Sequence, residues 1–474
     1  MIERLSSDSR RCAPGVAFFA YPGAVADGRA HIPEAIARGA AGVLWEADGY
    51  AWRNEWRAPN APVRGLKQQA GLLAHEFYHR PSEALWTCGV TGTNGKTSCS
   101  QWIAHALGGA GAKCGVVGTL GAGFLGALVD AGNTTPDVLE LHRLLAGMRR
   151  EGAAAVAMEV SSHGLDQGRV NGVAFQCALF TNLSHDHLDY HGSLDAYAAA
   201  KARLFDAEGL ACAVLNLDDA FGAQLAARLR GRGLRTIGYS LSPSAVAPGS
   251  VTEFVAASRI EPGRLSLVTT WGEAQTDFHQ LGRFNVANAL GVLGCLLAYG
   301  LPPAQAVAAL ATLPAVPGRM QRVGDAPLTV VDYAHSPDAL DKALQALRPV
   351  AQSRSGRLVA VFGAGGDRDR SKRGLMGAVA SRLADRIVLT SDNPRSEDPL
   401  AIIRAIEQGV SAPHAVEIDR ARAIESAIAQ AADADVVLIS GKGHEAWQEA
   451  GGRRLPFSDA AEAQAALARR AGRR

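Results

Sequence analysis

A surplus of charge of one sign is missing from this sequence. Its 48 Lys and Arg face 46 Asp and Glu, a formal net charge of +2 over 474 residues. That balance gives no reason to expect nucleic acid or an acidic membrane as the main partner. No apolar run reaches the roughly 18 residues of a membrane span. The opening Met1-Ile2-Glu3-Arg4-Leu5 lacks the basic-then-apolar pattern of a secretory signal, so a cytoplasmic chain is expected. Cysteine is sparse, with seven at 12, 88, 99, 114, 177, 212 and 295. The count is odd and no pair has metal-ligand spacing, so they read as small buried hydrophobes in a reduced compartment. Repeats and low-complexity segments are absent.

What is present is a chain 47% hydrophobic and 20% charged, long enough for about three domains with their own cores. Residues 1–84 form a small α/β block: strands at Val16–Phe19 and Gly42–Trp45, helices at Ile32–Arg38 and Leu66–His79. Residues 85–316 alternate apolar strands (Ala84–Thr91, Ala154–Val160, Cys177–Asn182, Cys212–Leu217) with helices, the mark of a mostly parallel sheet covered on both faces. Residues 240–280 look β-rich, Phe284–Tyr299 helical, and Leu313–Gly318 reads as a linker. Residues 317–474 start a second α/β pattern, Rossmann-like, with strands Leu328–Asp332, Leu358–Phe362, Arg386–Thr390 and Val436–Ser440, then an Ala- and Arg-rich terminal helix. Ligands of such sheets bind at the C-terminal strand ends, and the polar, Gly-rich stretches fall there in both blocks.

The run Thr91-Gly92-Thr93-Asn94-Gly95-Lys96-Thr97-Ser98 follows a strand and opens a helix. Glycines let backbone N–H groups face phosphate oxygens, Lys96 reaches the β/γ-phosphates and the Thr97 hydroxyl holds Mg²⁺. Val90 stands where the common pattern has glycine, so an ordinary Gly-rich turn before a helix is the competing reading. Glu159, directly after a strand, can sit beside a metal on the triphosphate. His185, His187 and His191 with Asp186 and Asp189 suggest metal or phosphate work, against the plainer reading of structural histidines. Lys201 reads by spacing as an exposed surface lysine. Arg368 and Arg395 are candidates for carboxylate binding, or solvated surface arginines. Asp392 and Glu445 suit an amine, or cap loops. Two sheets with chemistry at their strand ends suggest a reaction in the cleft between them.

The phosphate run, Met158–Leu165, Asn182–Asp189, Asp332–His335 and Gly441–Glu445 together resemble the motifs of the Mur ligases, in order along nearly the whole chain. The first of these lacks the same glycine in that family. Within it the chain looks like the branch that adds the third residue of the peptidoglycan peptide. The resemblance implies three domains binding in turn a UDP-sugar, ATP and an amino acid. It implies a UDP-N-acetylmuramoyl-L-alanyl-D-glutamate substrate activated as an acyl phosphate. Thr97 and Glu159 would hold one Mg²⁺, and His187 and a carbamylated Lys201 a second. Asn285, Asn288, Arg319, Asp332 and His335 would join the ATP loop, and Ser7, Ser9, Asn133, Thr134, Thr135, Ser161, Gln167 and Arg169 would hold the muramoyl-dipeptide. Ala24 and Val25 stand where relatives have polar residues near the uridine. Asp392-Asn393-Pro394-Arg395 resembles the motif of relatives using meso-diaminopimelate. There Arg395 and Arg368 would take the distal carboxylate, and Glu445, beside Gly441, the distal amine. A monomer is the default. A lysine-adding ligase, a folylpolyglutamate synthetase and a P-loop NTPase switch remain alternatives.

Overall fold

Three separate sheets divide the chain in the computed structural model, which describes residues 1–23 and 26–472. The first sheet pairs Arg4–Ser6, Val16–Ala20, Gly42–Glu46 and Asn60–Val63 in chain order, all parallel. Phe18, Val43 and Trp45 pack against helix Ile32–Ala37 on one face. Ala17 and Phe19 meet helix Leu66–Phe77 on the other, with Val138 and Leu139 of the next unit. The two edge strands are absent from the sequence reading. One is three residues long and the other contains Pro62, which argues against a strand. Ala24 and Val25 lie outside the described residues.

The central sheet has ten strands. Its inner strands run parallel in the spatial order Glu253–Glu261, Arg235–Ser240, Cys212–Asn216, Cys177–Phe180, Trp86–Thr91, Ala155–Glu159, Cys114–Gly118. Antiparallel strands finish both edges: Gly121–Phe124 at one, Gly263–Thr269 and Gly272–Phe278 at the other. Strand order reverses at Trp86–Thr91, so the crevice of an open α/β sheet opens where the Gly-rich run begins. Helices Lys96–Gly109 and Arg283–Tyr299 cover one face, packing Trp102, Ile103 and Leu107 with Leu290, Leu293 and Leu296. Helices Val138–Arg150 and Ala220–Leu229 cover the other. All seven cysteines are buried and free. Cys88, Cys177 and Cys295 converge within 4.8 Å in this core, a grouping that sequence spacing does not reveal.

The third sheet runs Leu328–Asp332, Val436–Ser440, Leu358–Phe362, Arg386–Leu389, His414–Val416 in parallel, with Gln321–Asp325 antiparallel at one edge. Helices Pro337–Ser353 and Lys372–Leu383 lie on one face, Arg420–Gln430 and Asp459–Ala471 on the other. A hairpin, Trp447–Ala450 with Arg453–Pro456, follows Val436–Ser440, the last parallel strand of this sheet in chain order. Leu313–Gly318 crosses between the two larger units without regular structure, pinned by the Trp102 indole N–H to the Pro314 carbonyl at 2.8 Å.

One buried ion pair ties the terminal helix to this sheet. The Arg420 guanidinium reaches both Asp459 oxygens at 2.7 and 2.8 Å, with neither side chain exposed, and donates to the Ser440 carbonyl at 2.9 Å. Asp459→Ala leaves a buried cation unpaired, so unfolding free energy should fall by about 3–5 kcal/mol. A urea midpoint equal to that of the parent would contradict this.

Candidate active site

The phosphate loop is built by two glycines that no other residue replaces. Gly92 and Gly95 have φ of +147° and +88°. A Cβ on Gly92 would stand 1.8 Å from Thr181 Oγ1, and one on Gly95 2.4 Å from Asn288 Oδ1. Val90 is fully buried in the strand, so the missing glycine lies outside the turn. Asn182 holds the loop from the next strand: its carbonyl accepts Thr93 N–H at 2.8 Å and its Oδ1 accepts Asn94 N–H at 3.0 Å. Lys96 folds onto the Gly92 and Thr93 carbonyls, both at 2.8 Å. Burial lowers its pKa, with the charges of Glu159 and Asp186 opposing.

Glu159 ends its strand 1% exposed. Its Oε2 accepts from the Thr97 and Thr119 hydroxyls, each at 3.0 Å, and Oε1 accepts Thr119 N–H at 2.8 Å. A buried carboxylate whose hydrogen-bond partners are all neutral, beside a loop hydroxyl, is an oxygen-rich setting that suits Mg²⁺. Thr119 is a residue the sequence reading missed. It follows Cys114–Gly118, a strand whose apolar run is cut short by Gly115 and Gly118, and only that strand's recognition would have flagged it.

The His-rich segment lies across the loop. The half-exposed His187 ring sits 4.8 Å from His163 and 6.2 Å from Tyr197, centroid to centroid. Burial pulls its pKa down to about 4, with Asp186 opposing, so its imidazole is neutral at pH 7. Lys201 corrects the spacing-based reading of an exposed lysine: it is 1% exposed. Its Nζ donates to the Gly92 carbonyl at 2.8 Å and lies 4.2 Å from the Tyr197 ring centroid. Burial, then the neighbouring Lys96, pushes its pKa well below the usual lysine value.

Between the central and third units a cavity of about 400 Å³ is lined by Asn94, Gly95, Ser98, Asn285, Asn288, Arg319, Asp332 and His335, all singled out beforehand. Arg319 lies over the Tyr333 ring at 4.5 Å and donates to Thr97 Oγ1 at 3.3 Å, joining the two units. Asp332 accepts Met320 and Ala334 N–H at 2.7 and 2.8 Å, and burial raises its pKa. His335 Nδ1 lies 2.8 Å from the Tyr333 carbonyl, and burial lowers its pKa. Asp338, not anticipated, accepts from Asn94 Nδ2 at 3.3 Å and Ser184 Oγ at 2.9 Å.

A second cavity, about 290 Å³, opens between the first and central units, lined by Tyr21, Lys67, Asn133, Asp137, Gln167 and Arg169. Of these, Tyr21, Lys67 and Asp137 are new. Ser7 lies close to Tyr21 and Asp137 of this lining, whereas the Ser9 hydroxyl is spent on Glu34 at 2.7 Å. Arg169 donates to Gln167 Oε1 at 3.0 and 2.7 Å and to the Thr135 carbonyl at 2.9 Å. Thr135 Oγ1 donates to the Glu159 carbonyl at 3.0 Å and is 3.1 Å from Ser161 Oγ, while Thr134 Oγ1 is 3.0 Å from Thr119 Oγ1. Polar contacts therefore run from this cavity through Arg169 and Thr135 to the Glu159 main-chain carbonyl, and a separate pair, Thr134 and Thr119, leads to its carboxylate.

In the third unit, three adjacent strand ends carry the remaining candidates. Arg395 Nη1 donates to the Gly366 carbonyl at 2.7 Å, and Nε lies 3.7 Å from Glu449 Oε2. Arg368 is exposed and has no hydrogen bond or ion pair among the described residues. Gly365 lies between the two: a Cβ there would be 3.0 Å from Arg395 Nη1 and 3.7 Å from Arg368 Cγ. Asn393 Nδ2 donates to Glu445 Oε2 at 2.8 Å. Asp392 is buried against Gly441, and the Pro394 carbonyl packs on Gly366.

Comparison with known proteins follows the same three units. Residues 1–78 match the Mur ligase family catalytic domain, 90–296 the Mur ligase middle domain and 318–443 the Mur ligase glutamate ligase domain. UDP-N-acetylmuramoyl-L-alanyl-D-glutamate--2,6-diaminopimelate ligases are similar throughout: that of Chromobacterium violaceum is 50% identical over 98% of this chain and 94% of its own. That of Pseudomonas aeruginosa is 51% identical over 99% and 95%. A solved structure of such a ligase superposes with a TM-score of 0.69 at 36% identity, covering 99% of this chain and 95% of that one. MurF from Acinetobacter baumannii shares the fold, with a TM-score of 0.66 at 20% identity over 93% and 90%.

Proposed function

The chain belongs to the Mur ligase family, and from that membership we propose that it joins meso-2,6-diaminopimelate to the D-glutamate of UDP-N-acetylmuramoyl-L-alanyl-D-glutamate, using ATP, in peptidoglycan synthesis. The observation that carries this is identity of 50–52% with diaminopimelate ligases over 98–99% of the chain. Residues 1–84 would hold the UDP-sugar, 85–316 ATP, and 317–474 the incoming amino acid. In support of a reduced, cytoplasmic setting, all seven cysteines are free, and no described helix is long and apolar enough to cross a membrane.

In this reading the nucleotide fills the larger cavity, with its phosphates on the Gly92–Ser98 backbone and Lys96 swung from its own loop carbonyls to the β/γ-phosphates. Arg319, already at Thr97, adds a second cation from the other domain. The muramoyl-dipeptide lies from the Ser7 and Arg169 cavity along Thr134, Thr135 and Ser161, which delivers its glutamate carboxylate beside Glu159. Thr97 and Glu159 would hold one Mg²⁺, and His187 with carbamylated Lys201 a second. Bound Mg²⁺ supplies charge neutralisation, which phosphoryl transfer needs more than covalent help. The glutamate γ-carboxylate oxygen attacks the γ-phosphorus and ADP leaves. The amine held by the third domain then attacks the acyl carbon, loses a proton, and phosphate departs. Closure of the cleft would exclude water from the acyl phosphate.

Phosphate release from ATP should require both the UDP-muramoyl-dipeptide and diaminopimelate, with product heavier by one diaminopimelate residue. Release with L-lysine instead would place the chain in the lysine-adding branch. Release without either acceptor would mark an NTPase.

A further inference from the structure

Lys442 belongs to none of the sites above, yet it is a fully enclosed cation within the amino-acid loops, with no exposed side-chain surface. Its Nζ donates to Asn393 Oδ1 at 2.9 Å and to Glu445 Oε2 at 3.0 Å. Asn393 Nδ2 closes the triangle on the same Glu445 oxygen at 2.8 Å. The Glu449 backbone N–H also donates to Asn393 Oδ1, at 2.9 Å. Two donors on Oδ1 fix which way the Asn393 amide faces, since only its carbonyl oxygen accepts. Two donors on Oε2 likewise leave Oε1 of Glu445 without a hydrogen-bond partner among the described residues. An ammonium is the group that an unpartnered carboxylate oxygen on a largely buried side chain recognises.

We propose that Lys442 is a positioning residue for amino-acid recognition: it locks the Asn393 amide and one Glu445 oxygen so that the other oxygen is presented to the distal amine of the substrate. This rests on the diaminopimelate reading of the site. The arrangement also explains why a lysine is tolerated where no water reaches it. Its charge is matched by Glu445, and its position follows from Gly441 and Gly443 on either side, at φ +123° and +56°. Those left-handed turns aim the side chain into the sheet rather than toward solvent. With substrate bound, Glu445 would bridge two cations, which keeps the carboxylate neutralised in both the empty and the filled pocket.

The test compares meso-diaminopimelate with 2-aminopimelate, the same diacid lacking the distal amine. In Lys442→Met, KM for diaminopimelate should rise at least about tenfold, the scale of one hydrogen bond to a charged group. KM for ATP and kcat at saturating diaminopimelate should change by less than about threefold, and the preference for diaminopimelate over 2-aminopimelate should shrink by the factor lost in KM. Lys442→Gln keeps a donor for Asn393 Oδ1 but removes the charge, and carries the same readouts if the methionine variant does not fold. An unchanged KM, or a loss shared equally by both diacids and by ATP, overturns the proposal. The parent enzyme is the control: if it does not turn over diaminopimelate at all, the functional reading fails rather than the role of Lys442.

Discussion

Lys201→Met should reduce turnover by about 10²–10³-fold, the scale of losing one preorganised charge at a reacting centre, while leaving nucleotide affinity and the unfolding midpoint close to those of the parent. The argument starts from burial. An ammonium 1% exposed, with another lysine nearby and the Gly92 carbonyl as its hydrogen-bond partner, is poorly stabilised. Its amine is therefore drawn toward the neutral form, and a neutral amine can add to CO₂: the N–C bond would form, a proton would leave, and the side chain would end in a carboxylate whose single negative charge is shared by two oxygens. That exchange would convert an unfavourable cation into an oxygen ligand suited to Mg²⁺ and would remove its repulsion of Lys96. Two measurements separate this from simple packing. Activity should fall in CO₂-depleted buffer and return with bicarbonate, and a Lys201→Ala variant, expected to lose as much turnover as the methionine one, should be partly restored by short carboxylates, which can place oxygens in the vacated space. Full activity without CO₂, or a methionine variant as active as the parent, would remove the carbamate from the reading.

Much of this architecture was legible because the candidate site residues sit where parallel strands end. Thr91, Glu159, Asn182, Asp332 and Ser440 each close an apolar run that periodicity locates to within a residue or two, and the loops beyond them inherit their position from the sheet. Lys201 was not legible for the opposite reason. Its helix, Leu194–Ala202, is so rich in alanine that no face stands out as apolar, and its buried partner is the Gly92 carbonyl of the phosphate loop, more than a hundred residues earlier in the chain. Thr119 was hidden because Cys-Gly-Val-Val-Gly reads as a turn unless neighbouring strands are known to flank it. Asp338 and Lys442 act through partners far away in sequence or masked by a glycine-rich loop. Pattern reading finds elements and their ends, whereas pairing across domains is a property of the packed molecule.

Arg395→Ala should cost about 10²–10³-fold in kcat/KM for diaminopimelate, the range for truncating one partner of a desolvated charge pair, and should leave the slow rate with L-lysine nearly unchanged. The comparison is clean because the backbone at 395 is held independently of the side chain. Arg395 N–H donates to the Glu449 carbonyl at 3.0 Å, and its carbonyl accepts Gly451 N–H at 2.8 Å, so the hairpin clamps the residue on both sides. Its φ of +53° is as uncomfortable for alanine as for arginine, and the substitution adds no new strain. What disappears is a guanidinium anchored at one nitrogen to Gly366, with Arg368 on the other side of Gly365. Diaminopimelate brings a distal carboxylate that satisfies this pair of cations. Lysine brings none, so binding it would cost the half-buried Arg395 guanidinium its solvent without supplying the carboxylate that this position takes, which is how a polar pocket rejects the smaller analogue. Arg395→Lys should not restore the rate, since an ammonium cannot reproduce the two-pronged geometry. If the parent enzyme prefers lysine, or if Arg395→Ala lowers both substrates equally, then Arg395 shapes the loop rather than reading the amino acid, and selectivity must reside in Arg368 and Glu445.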